Sequence, residues 1–198
     1  MTTKYNYLYN GNNLLNQGKA EINENVFDNY WEILPIEKTQ ITEDKINLIL
    51  KKEQSASLFV QSEKKAVLAI QKHAMNIAGK EKNPQMDEAY FLLGESRYYD
   101  QRFIPSLEAF NYILFKYPTS ELVNKAKIWR EKINAKQNYN QLAIENLKEI
   151  ESRGRLSNEE IVELNAVLAQ AYLNSKKIDS AVIRLETASE KTQDLNSK

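Results

Sequence analysis

The residues of this chain that could do chemistry are few and scattered. His73 is the only histidine and cysteine is absent. A zinc site needs histidine, cysteine or carboxylate ligands converging at short spacing, and an activated nucleophile needs a base beside it. His73 lies between Lys72 and Ala74, with no histidine or carboxylate four residues to either side. It reads as a structural or surface residue. No Gly-x-Ser-x-Gly elbow or phosphate-cradling loop occurs. Glu88, Glu95 and Glu108 are spread along helical faces as solvated charges are, whereas a glycosidase needs two carboxylates facing each other. The chain is therefore expected to be non-catalytic, with no metal and no cofactor.

Binding chemistry is better represented. Phe91, Glu95 and Tyr98 fall at helical spacing on one face, next to Tyr99 and Phe103. In a solenoid of helix pairs the first helix of each pair lines the inner surface. Phe91, Glu95, Tyr98 and Tyr99 are thus candidates for a partner-binding groove, with Glu163, Gln170 and Asn174 as the equivalent lining of the last repeat. The same aromatics could instead pack the neighbouring repeat, because aromatic side chains dominate both kinds of burial.

Positioning such a face requires helices, and the composition supplies them. Five glycines and four prolines leave few turns for a sheet protein, while Leu, Ile, Ala, Lys and Glu are strong helix formers or fillers. From Asp87 to Pro118, Tyr90, Leu93, Gly94, Phe110 and Pro118 fit the roughly 34-residue tetratricopeptide pattern. Gly94 and the small Ser106 would let two helices approach, Leu93 and Phe110 would fill the contact, and Pro118 would stop the second helix. Leu168, Ala169, Tyr172, Ala181, Leu185 and Ala188 form a second copy. Gly94 and Ala169 are equivalent and lie about two repeat lengths apart, so an irregular repeat is expected between them. Ala126, Trp129, Ile133, Tyr139, Ala143, Leu147 and Ile150 would supply its apolar stripe.

Helix punctuation agrees with this period. Thr119 and Ser157 can each cap a new helix, and Ser157 with Glu160 makes a capping box. Gly154 marks a helix end, and Asn83-Pro84 separates an upstream helix from one beginning near Asp87. Upstream, Leu58, Phe59, Ala66, Val67, Ala69, Ile70, Ala74 and Ile77 trace one helical face, and Tyr7, Gly11, Leu14 and Leu15 another. Trp31 to about Thr42 reads as an extended connection, because proline disfavours helix in the residue before it. Its Trp and Ile side chains are expected to pack on the first helices. The expected fold class is all-α: a tetratricopeptide-type helix-pair solenoid with an irregular N-terminal helical part. The expected boundaries within a single domain 1–198 are 1–42, 43–85, then repeats at 86–118, 119–153 and 157–192.

Charge narrows the partners. Lys plus Arg and Asp plus Glu number 27 each, so no excess of cations exists to collect nucleic-acid phosphates. No apolar run reaches the roughly 20 residues a membrane span requires, and the polar start Met1-Thr2-Thr3-Lys4 lacks the apolar core of a signal peptide. A soluble, protein-binding fragment is the expectation.

Longer strings carry a more specific signal. Lys4-Tyr5-Asn6 with Leu8-Tyr9-Asn10-Gly11, then Asp28-Asn29-Tyr30-Trp31-Glu32 with Leu34-Pro35-Ile36, resemble the start of the PorW/SprE family of gliding-motility and type IX secretion lipoproteins. The resemblance continues through Ala69-Ile70-Gln71-Lys72-His73, Tyr98-Tyr99-Asp100-Gln101-Arg102-Phe103, Leu107 to Ile113 and Lys127-Ile128-Trp129-Arg130, nearly the whole chain. It implies an outer-membrane lipoprotein facing the periplasm, which helps couple the energised secretion and gliding machinery to the outer-membrane translocon. Its partners would be other proteins of that machinery, with membrane contact only through a lipid anchor outside this chain. The family carries an export signal and lipid-bearing cysteine before this region and further sequence after it, so an N-terminal repeat region of a longer protein is expected. Two other readings compete: a generic cytosolic peptide-binding repeat protein, and a helical accessory domain of a cell-wall enzyme.

Overall fold

The computed structural model describes residues 3–26, 28–31, 33–39, 57–77 and 80–196. Glu32, residues 40–42 of the expected connection, and the first part of the expected 43–85 segment, through 56, lie outside the described residues. The fold is all-α, made of antiparallel helix pairs of tetratricopeptide type with a less regular N-terminal part, as the repeats predict. It divides into two compact units, Met1–Tyr117 and Pro118–Lys198.

In the first unit a wide π-type stretch, Thr3–Leu8, leads into α1 (Tyr9–Asn25), followed by α2 (Leu58–His73), α3 (Met86–Tyr99) and α4 (Phe103–Lys116). Leu93 and Phe110 fill the α3–α4 contact around Gly94, as expected: any Cβ on Gly94 would sit 2.6 Å from the Phe110 ring. The Ser106 hydroxyl donates to the Gly94 carbonyl at 2.7 Å, which satisfies a buried polar group while keeping the approach close. An unexpected pair repeats this device. The Ser62 hydroxyl of α2 donates to the Gly11 carbonyl of α1 at 2.8 Å, and Ser62, Ala66 and Ala69 on α2 take the same spacing as Ser106, Phe110 and Ile113 on α4. Further along α1, a Cβ on Gly18 would meet the Phe59 ring at 2.6 Å. Helices α1 and α2 therefore form a helix pair whose two members are separated by a long connection, which hid it from a search at fixed period.

Helix α2 stops at His73, short of the expected Ala74 and Ile77. Ala74 is exposed and Ile77 falls in a two-residue strand, β1 (Asn76–Ile77), paired antiparallel with β2 (Lys80–Glu81). Side chains take over the freed backbone groups there. The Asn83 amide donates to the His73 carbonyl at 2.9 Å, and the Glu81 carboxylate accepts from Met75 N–H (2.8 Å) and Asn83 N–H (2.7 Å).

The second unit holds α5 (Val123–Lys136), α6 (Asn140–Ser152), α7 (Asn158–Asn174) and α8 (Ile178–Asn196). The capping box at Ser157 and Glu160 is formed in both directions, with bonds of 3.2 and 2.7 Å. Gly154 has φ +68° just past the end of α6, a conformation that costs glycine nothing. Thr119 does not cap α5: Ser120 instead accepts from the Leu122 N–H at 3.0 Å, one turn before the helix. Tyr139 is exposed rather than part of the apolar stripe, because it lies in the corner before α6, where its backbone N–H donates to Asn134 and its carbonyl accepts from Ala143 while the ring stays in solvent. Leu185 is likewise exposed, unlike Ala181 and Ala188 beside it.

One corner recurs. Gln101, Asn138 and Lys176 all have φ near +60°, and the next N–H bonds back to Arg97, Asn134 and Tyr172 carbonyls at 2.8, 2.9 and 2.9 Å. These are Schellman closures made without glycine. They align Gly94, Glu131 and Ala169 at one register position, so Glu131 stands in the irregular repeat where its neighbours have a small residue. Its carboxylate is buried and accepts from the Asn134 and Asn146 side-chain amides at 2.8 and 3.0 Å.

Candidate partner-binding surface

The proposed groove residues occupy different environments. Phe91 is half-buried, edge-on to Phe110 with ring centroids 5.3 Å apart. Glu95 sits 3.5 Å from Lys19 Nζ. Tyr98 and Tyr99 are 1% and 7% exposed, so they do not line an open groove. Tyr99 stacks on Phe59, Tyr98 lies edge-on to both Tyr99 and Phe103, and the Lys19 ammonium is 4.7 Å from the Tyr99 ring centroid. Both are core residues because α1, α2 and α4 surround the end of α3. For Tyr98 and Tyr99, packing is the role that their burial gives them.

Their hydroxyls still do something the spacing could not show. Tyr98 Oη donates to Glu37 Oε2 at 2.9 Å and Tyr99 Oη to Glu37 Oε1 at 2.6 Å, a fork that grips a single carboxylate. Burial, and next the Glu37 charge and its hydrogen bond, hold the Tyr99 hydroxyl well above its ordinary pKa, so it stays a donor. Close by, Lys38 Nζ pairs with Asp28 at 3.1 Å and donates to the Val26 carbonyl at 3.0 Å. The Trp31 N–H donates to Asn29 Oδ1 at 3.2 Å, an Asx-type turn. Residues 28–31 and 33–38 are thus closed at their base by Lys38 and pinned through Glu37. Trp31 is 96% exposed, and Tyr30 and Ile33 also face solvent. The expectation of packing on the first helices is overturned for Trp31 and Ile33, which point out, while Leu34 and Ile36 are half-buried and the polar residues Lys38 and Glu37 anchor the connection.

A second charged node ties α2 to the corner after α3. Glu63 accepts from Arg97 Nε at 2.8 Å and from Arg102, while Arg102 Nε also donates to Asp100 at 2.7 Å. Burial works to raise the Glu63 carboxyl, but hydrogen bonds from Arg102 and then Arg97 outweigh it and hold the pKa below its ordinary value. Tyr90 stacks on Tyr112 at 4.1 Å with Tyr117 adjacent, and burial followed by the Tyr112 charge pushes Tyr117 up to about 12.

In the second unit, Glu163, Gln170 and Asn174 do line one face of α7, but they are engaged. Lys132 donates to Glu163 at 2.8 Å, and Gln170 donates to Asn174 at 2.9 Å. Asn174 donates to the Ala135 carbonyl at 3.3 Å and to Asn140 Oδ1 at 3.0 Å. The bonds of Lys132 and Asn174 join the helices of successive repeats, and that of Gln170 lies within α7. A polar cleft of about 200 Å³ opens between α5 and α6, lined by Lys127, Arg130, Glu131, Asn146 and Arg153 among others. No cluster of histidine and carboxylate side chains among the described residues is arranged to hold a metal. No described helix is long and apolar enough to cross a membrane.

No known family model matches the chain, and no curated protein matches it either.

Proposed function

We propose that this chain is a non-catalytic protein-binding scaffold, of the kind implied by its resemblance to the PorW/SprE family. In that reading it works at the periplasmic face of the outer membrane, in a lipid-anchored protein that links secretion and gliding machinery to the translocon. The observation that supports protein binding is the exposed pair Tyr30 and Trp31, held near the Lys38 and Glu37 anchors. A tryptophan left almost wholly in water costs hydrophobic free energy, about 25 cal/mol for each Å² not buried. Here Trp31 and Tyr30 stand together on a segment whose two ends are tied down. Rigid aromatic side chains held in place lose little entropy on docking, which is why such residues dominate interface energetics.

The test is capture from the envelope of a gliding, type IX-secreting bacterium. The wild-type chain should retain components of the secretion machinery. Replacing Tyr30 and Trp31 together by alanine should cut retention at least tenfold with unchanged circular dichroism. Recovery of no machinery component, or undiminished recovery by the double variant, would overturn the proposal.

A further inference from the structure

Among the described residues, Arg130 is the half-buried arginine whose guanidinium donates no hydrogen bond. Arg97 and Arg102 bond Glu63, and Arg184 bonds Glu151 at 2.6 Å and Asn165 at 3.1 Å. Arg130 has only Glu131 near it, with Nη2 3.9 Å from Oε1, beyond hydrogen-bond reach. Its Nε is buried and no described residue accepts from it. Buried donors are nearly always paired, because nothing else offsets their lost hydration. Lys127, one turn earlier on α5, makes no hydrogen bond or ion pair with any described residue either.

Both side chains line the polar cleft of about 200 Å³ between α5 and α6, and Arg153 comes to the same cleft from the end of α6. The two carboxylates there are already engaged: Glu131 Oε2 accepts from the Asn134 and Asn146 amides, and Glu149 is paired with Arg153. Three cations against two carboxylates leave an excess of one positive charge. That excess suits a monoanion, and the two glutamates would repel a dianion such as phosphate more strongly. The cleft exceeds the roughly 30 Å³ share of one water several times, so a carboxylate can enter with part of its stem, and Ile150 gives the stem an apolar wall. Asn124 and Asn146 each spend one amide N–H, on the Arg155 carbonyl at 3.4 Å and on Glu131, and their side-chain oxygens are left to accept. We infer that the cleft binds a carboxylate of a peptide, held by Arg130 and Lys127 with its neighbouring backbone N–H groups on the asparagines. The site lies between the two helices of one pair, not on the inner surface that successive first helices line. It stands on this cleft alone, so failure of the Tyr30 and Trp31 surface would leave it untouched.

The test is a magnetic-resonance titration of the isotope-labelled full chain, followed by the Arg130 Nε–H and the Gly154 backbone amide, both of which belong to the cleft. Two probes separate the sources of a carboxylate: acetyl-Ala-Glu-Ala-amide offers a side chain, and acetyl-Ala-Ala-Ala with a free end offers a chain terminus. At least one should give saturable shifts, and the one that does identifies the source. Acetyl-Ala-Gln-Ala-amide should give none. Lys127→Gln should weaken binding about tenfold, the loss of one charge-assisted bond. Its fold is not at risk, because that side chain bonds no described residue. Arg130→Lys, read from Gly154, should weaken binding as much, since the charge remains but the planar fork is lost. Circular dichroism checks the folding of both variants. Shifts that are absent with both carboxylate probes, matched by sodium chloride at equal ionic strength, or unchanged in the folded variants would overturn the inference. So would tighter binding of inorganic phosphate than of either carboxylate.

Discussion

Gly94 in the first unit and Glu131 in the second occupy the same place in their helix pairs, yet one has no side chain and the other buries a carboxylate. At Gly94 the pair closes by subtraction: the Phe110 ring fills the space a side chain would take. At Glu131 it closes by satisfaction, with two asparagine amides donating to the one buried oxygen, Oε2. The corner that follows is the same in both, with a left-handed residue and the same backbone closure. A helix pair of this kind is thus set by its corner and by the small residue on its second helix, Ser106 or Ala143. The facing position is free to differ if its volume and polarity are matched.

Breaking the subtractive solution should have the largest effect. Gly94→Val puts two methyl groups into the Phe110 ring, which is fully buried and held by Phe91. Overpacking of this sort costs typically 1–3 kcal/mol, and a branched side chain at 2.6 Å belongs at about 3 kcal/mol, read as a shifted denaturation midpoint. A neutral result would show that the contact is not close-packed.

Breaking the polar solution should cost less. Glu131→Ala strands the Asn134 and Asn146 amides and is expected to cost about 2 kcal/mol. Adding Asn146→Leu to it should recover part of the loss, because removing both partners is cheaper than removing one. If Glu131→Ala alone is stabilising, the carboxylate is not what holds that pair.

The Glu63 node sharpens the contrast by acid, since here a carboxylate is held at a rim by two arginines. Its folded pKa is depressed, so the stability it contributes is complete above its ordinary value of 4.5 and is lost as pH falls through the folded value. Thermal unfolding of wild type should therefore fall off more steeply below pH 4.5 than that of Glu63→Gln. Parallel pH profiles would remove the ion pair from the account. The smallest change should be a gain: Gln101→Gly, Asn138→Gly or Lys176→Gly relieves a left-handed residue and should stabilise by about 0.5–1 kcal/mol each.

Much of this fold is legible in the residues. The contact of Gly94 with Phe110, the Ser157 capping box and the Gly154 stop follow from local chemistry, because each needs a residue type at a fixed helical offset. The α1–α2 pair is not legible by period, since its members are separated in sequence and joined by the Ser62 to Gly11 bond. The three left-handed corners are hidden for a different reason: glutamine, asparagine and lysine do not announce that conformation as glycine does. At the candidate surface the spacing of Phe91, Glu95 and Tyr98 placed them on one helix without saying which neighbour would cover it.

The chain's residues alone determine that it is helical, that its helices pair, and where several of them start and stop, because propensity, capping and small-residue spacing act over a few positions. Which aromatics end up inside is a tertiary decision. Tyr98 and Tyr99 are buried since helices distant in sequence close over them and Glu37 can meet both hydroxyls. Trp31 is left outside since the polar residues around it, not its own ring, are what the core captures. Hydrophobicity supplies the pressure to bury, and the geometry of hydrogen-bond partners decides which aromatic residues are released to the surface.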